Sequence, residues 1–130
     1  MSAHARDAVG VTLAVIGIYL VGLSIFMLIA PGTFFDKVAP IGGRNDHYIR
    51  DGATFQLALG ILALIAAARR EVRLAAVIVI GLQFSLHALN HLIDIDEADP
   101  RWLGTANFIG LASGVLVAGW LFWQVREGTR

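Results

Sequence analysis

The chain has 130 residues and a formal net charge of zero with histidine neutral, and it is 57% hydrophobic but only 15% charged. A soluble domain carries about 25% charged residues, so an ordinary water-soluble fold is excluded, and the scattered basic residues give no footprint for nucleic acid. There is no cysteine, which excludes disulfides, thiolate metal sites and a thiol nucleophile.

The length fits one domain over residues 1–130. Four apolar segments occupy most of it, so the chain is expected to be all-α: an integral membrane four-helix bundle, antiparallel in an up-down-up-down order. The first segment, from about Ala8 to Ala30, is nearly all Val, Leu, Ile, Ala and Gly. It has the ~20 residues that a span needs. It exceeds the h-region of a signal peptide, and Pro31 follows the one small-residue cleavage point, so an anchored helix is expected. Gly10, Ala14, Gly17 and Gly22 leave room for a close neighbour. Pro31-Gly32 stops the segment.

Residues Thr33 to Arg44 connect it to the second helix. Thr33 and Asp36 are expected to cap a short helix that lays Phe34, Phe35 and Val38 into the interface, with Pro40 and Gly42-Gly43 turning the chain. The connector reads as a plain loop or, alternatively, as a lid over a site.

The second helix is expected from about Asp46 to Ala68, with Asn45 or Asp46 as N-cap. His47, Arg50, Asp51 and Thr54 share one face of its first turns. The run Arg69 to Arg73 makes a basic turn into a third helix expected from about Val72 to Ile93. Its outer half carries Gln83, His87, Asn90, His91 and Asp94 within one stripe, since a helix advances about 100° per residue. Such groups should face protein or water rather than lipid.

An acidic loop, Asp94 to Pro100, leads to the fourth helix at about Arg101 to Val125. Trp102 marks one interface, and Trp120 and Trp123 the other. Ala106, Gly110, Gly114 and Ala118 recur every fourth residue as a face for a neighbouring helix, a second copy or a partner membrane subunit. Arg6, Arg69, Arg70, Arg73, Arg126 and Arg130 outweigh Lys37, Arg44, Arg50 and Arg101 on the other side. Positive charge stays inside, so both termini are expected in the cytoplasm.

Ser24, Asp51, His87 and Asn107 all fall ~8–11 Å below the outer end of their helices at ~1.5 Å per residue. The expectation is an outward-opening pocket with an apolar floor. As a metal centre, His87, His91, Asp94 and Asp51 offer the ligand types that suit zinc or iron. A bis-histidine haem fits less well beside carboxylates and Arg50. Without metal, His87, Asp51 and His47 form an acid–base set. Arg50, Thr54, Gln83, Asn90 and Asn107 would then hold the polar end of a lipophilic small molecule arriving through the bilayer. Two other readings stand beside this. The polar groups serve only as hydrogen bonds between helices of an accessory subunit, or they belong to a proton-linked transporter, which needs a polar path through the inner half.

The elements Pro31-Gly32…Phe35 and Arg50-Asp51-Gly52-Ala53…Leu59-Gly60, followed by a basic turn, resemble the DoxX-like group of small bacterial membrane proteins. The likeness covers the first half of the chain. It implies the four-helix fold and a bacterial inner membrane location. The founding members of that group are associated with quinone-linked respiratory chemistry. The resemblance carries over no catalytic residue.

Overall fold

The computed structural model describes residues 3–128, with side chains from residue 8 onward. His4, expected to be a solvated tail residue, lies outside the described side chains, as do Arg6 and Arg130 of the orientation argument.

Among the described residues five α-helices follow in order: α1 (Ala3–Ile29), α2 (Pro31–Lys37), α3 (Asp46–Ala68), α4 (Arg73–Ile93) and α5 (Arg101–Gly128), with a 3-10 turn at Arg70–Val72 between α3 and α4. No strand occurs among the described residues. Four helices are long and apolar enough to cross a membrane, over Ala8–Ile29, Asp46–Ala68, Arg70–Ile93 and Arg101–Gly128. By length and composition this is a multi-pass membrane protein in contact with a lipid bilayer.

Local chemistry sets the boundaries. Proline lacks the N–H that a first-turn position leaves unused, so Pro31 opens α2 directly after α1 ends. The expected Thr33 cap is corrected: Ala30 occupies the N-cap position, makes no side-chain bond there, and Thr33 lies inside the helix. Asn45 does cap α3, its side-chain oxygen accepting from the N–H groups of His47 at 3.1 Å and Tyr48 at 3.2 Å. Gly42 adopts φ +63°, a left-handed turn conformation that glycine takes without a Cβ clash.

The helices pack in two pairs, α1 with α3 and α4 with α5. Gly17 and Gly60 set the approach in the first pair. A Cβ on Gly60 would come within 2.9 Å of the Val21 backbone nitrogen and 3.1 Å of the Gly17 carbonyl oxygen. In the second pair, Gly114 receives the Phe84 ring and Gly81 faces Ala118.

The pairs join at both ends by different means. Near the Arg70–Val72 turn, Val9 and Leu13 of α1, Ala63 and Ala66 of α3, Ala76, Val77 and Ile80 of α4, and Leu121 and Val125 of α5 form one buried cluster. Toward the other end the core splits. Met27, Phe34 and Ala53 form a cluster confined to α1, α2 and α3, with Phe26 and Phe34 edge to face at 6.0 Å. Phe34 is thus buried rather than laid into an interface. There the second pair is held by loop contacts. Asn107 donates to the Val38 carbonyl at 2.7 Å, the Asp99 N–H donates to the Pro40 carbonyl at 3.2 Å, and Ile41 pairs with Ala98.

Candidate functional site

On α3, the cap at Asn45 starts the helix so that His47 and Asp51 fall one turn apart. His47 Nε2 lies 3.4 Å from Asp51 Oδ2, and both side chains are largely exposed. Thr54 donates its hydroxyl to the Asp51 carbonyl at 2.8 Å. Arg50 is exposed on the same end of α3. Close by, Arg44 and Asp46 form a two-point ion pair at 2.6 and 2.9 Å. The hydrogen bond to Asp46 raises the Arg44 pKa further above its already high usual value. This end of α3 is a solvent-facing polar surface.

On α4 a separate group forms. His87 and His91, one turn apart, have ring centroids 4.9 Å from each other. Both are half-buried, while Gln83 and Asn90 are exposed. A hollow of about 340 Å³ is lined by Gln83, Leu86, His87, Leu89, Asn90 and Ile93. Every one of those residues belongs to α4, so the hollow is a groove on that helix rather than a chamber between helices. Three polar side chains and three aliphatic ones share its walls. His91 Nδ1 is buried and has no hydrogen-bond partner among the described residues. Asp94 closes the helix as its C-cap.

The two groups do not meet in one shell. Among the described residues no three His, Asp or Glu side chains come together closely enough to hold a metal ion. Asp51 is engaged by His47, and the His87 ring lies against that of His91 at a 54° tilt. Asn107 spends its amide on Val38, and Ser24, fully buried, donates to the Leu20 carbonyl of its own helix at 2.7 Å. The four groups expected at one depth therefore have separate partners. A donor set of this kind does not fit a zinc or iron centre built from His87, His91, Asp94 and Asp51, because such a centre needs its ligands convergent on one point.

Arg73 was invisible as a special residue in the sequence, where it is one of several arginines in a basic turn. It is only 6% exposed. Its Nε donates to the Ala66 carbonyl at 3.0 Å and its Nη2 to the Ala67 carbonyl at 2.9 Å. The signal available was its position: the first residue of a helix packed directly after the open carbonyl end of another.

No protein-family model, curated protein or solved structure matches the chain.

Proposed function

We propose that this is a membrane-embedded binding protein that holds the polar end of a lipophilic small molecule in the α4 groove. The supporting observation is the hollow in which Gln83, His87 and Asn90 alternate with Leu86, Leu89 and Ile93. Neutral imidazole and carboxamide groups both donate and accept hydrogen bonds. A carbonyl or hydroxyl head group finds partners there, while an apolar tail lies along the aliphatic side chains and the acyl region. His87 and Asn90 are the residues that would grip the head. His47, Asp51, Arg50 and Thr54 sit on the α3 surface instead, where they would meet a soluble partner or lipid head groups.

The proposal includes an up-down order of the four spans, with both termini on the cytoplasmic side of a bacterial inner membrane. The surplus of arginine at the termini and the 69–73 turn supports that orientation. The likeness to DoxX-like proteins is part of the same reading. Pro31 opens α2, and Gly60 lets α1 and α3 touch.

Equilibrium binding of a short-chain benzoquinone, a lipophile with a carbonyl head, tests the groove. His87→Ala and Asn90→Ala should each weaken binding about tenfold, the weight of one hydrogen bond to a neutral head group of ~1.4 kcal/mol. His47→Ala should leave it unchanged. Equal affinity in the wild type and the His87→Ala, Asn90→Ala double variant would remove the groove as the site. Metal analysis of the same preparations covers the other ligand class. Stoichiometric zinc or iron lost in His87→Ala plus His91→Ala would move the reading to a metal centre completed from outside this chain.

A further inference from the structure

We infer that α4 pairs within the membrane with α4 of a second copy of this chain, and that the second copy supplies the wall the groove lacks. The pairing itself stands on Gln83; the completed site rests on the binding role proposed for the groove.

Gln83 precedes Ile93, the last residue of α4, by ten positions. At ~1.5 Å per residue that is ~15 Å from the helix end, the middle of a hydrocarbon layer ~30 Å thick. Its side chain is exposed, and no other helix of the chain contributes to the hollow it lines. A carboxamide there has two donors and an acceptor with nothing in lipid to meet them. Asn90, nearer the end of the helix, is within reach of water; Gln83 is not.

A primary amide is its own complement. Across a two-fold axis each Gln83 donates to its counterpart and accepts from it, and a symmetric interface uses the same patch on both copies. His87, one turn toward the outer end, falls next along the seam and also donates and accepts when neutral. Leu86, Leu89 and Ile93, all exposed, flank the polar line and supply packing area. The exposed positions Val11, Val15, Ile18 and Ile25 on α1, by contrast, are purely apolar and suit lipid. In the pair, the deeper end of the groove is sealed by the amides. The outer end becomes a two-sided slot with a His87 on each wall.

The absence of cysteine allows single-cysteine cross-linking on the otherwise native chain. Full-length protein carrying Leu86→Cys, reconstituted in phosphatidylcholine–phosphatidylglycerol vesicles, should form a covalent dimer on oxidation, and Ile18→Cys should not. Adding Gln83→Leu to Leu86→Cys should cut the cross-linked fraction about tenfold on dilution into lipid. It should leave the thermal unfolding of the monomer unchanged, because the amide makes no hydrogen bond among the described residues. Equal cross-linking at Ile18→Cys, cross-linking indifferent to Gln83→Leu, or a monomer with no cross-link would each overturn the pairing. Cross-links without benzoquinone binding would leave the dimer standing and remove the groove's ligand. Benzoquinone binding by a chain that never cross-links would do the reverse.

Discussion

A guanidinium that is almost wholly removed from solvent must have its donors met by the protein. The last four carbonyls of any helix face the converse problem, with no N–H of their own helix to receive. Arg73 answers both at once by donating to Ala66 and Ala67 at the end of α3. The positive charge also sits where the α3 dipole is negative. Arg73→Met should therefore lower stability in detergent by roughly 1.5–3 kcal/mol, the range for hydrogen bonds to charged groups, read as a drop in unfolding midpoint. Arg73→Lys should recover only part of it, since one ammonium cannot copy the fork that reaches two successive carbonyls. The neighbouring exposed Arg70→Ala should cost little. Composition could identify this turn as basic. It could not separate the buried arginine from the solvated ones, because that depends on where α1 lies above it.

At the scale of the helices, the long apolar runs were legible because hydrocarbon requires every backbone group to be satisfied within its own segment. That requirement writes length and apolarity into the sequence. Asn45 was legible as a cap for the same local reason. Side-chain convergence was not. Equal depth along four helices says nothing of rotation about each axis, and His47–Asp51 and His87–His91 face different surroundings. The small-residue face on α5 was legible in part: Gly114 and Ala118 are used within the chain against Phe84 and Gly81, while Gly110 has open space around it. Packing at Gly60 makes the sharpest expectation. Gly60→Val forces a branched side chain onto the α1 backbone and should destabilise by roughly 1–3 kcal/mol. Gly119→Ala, with nothing within 4 Å of the added carbon, should be tolerated. Thermal unfolding of both variants in one detergent makes the comparison.

The whole molecule is two helix pairs fused by a common apolar cluster at one end and laced by loops at the other. Orientation is a property of this scale. A cysteine introduced at Glu71, exposed in the turn between α3 and α4, should react with an impermeant maleimide only after the cytoplasmic face is opened. One at Asp96, in the acidic loop, should react from outside. Labelling with the opposite sidedness would invert the proposed topology.

The lacing of Asn107 to Val38 and of Asp99 to Pro40 has a bearing on traffic through the protein. A crosspiece of main-chain and amide bonds joins the two pairs at their loop end. Within the single chain the groove on α4, by contrast, is open along its flank. On the binding role proposed for the groove, a guest would arrive sideways from among the acyl chains.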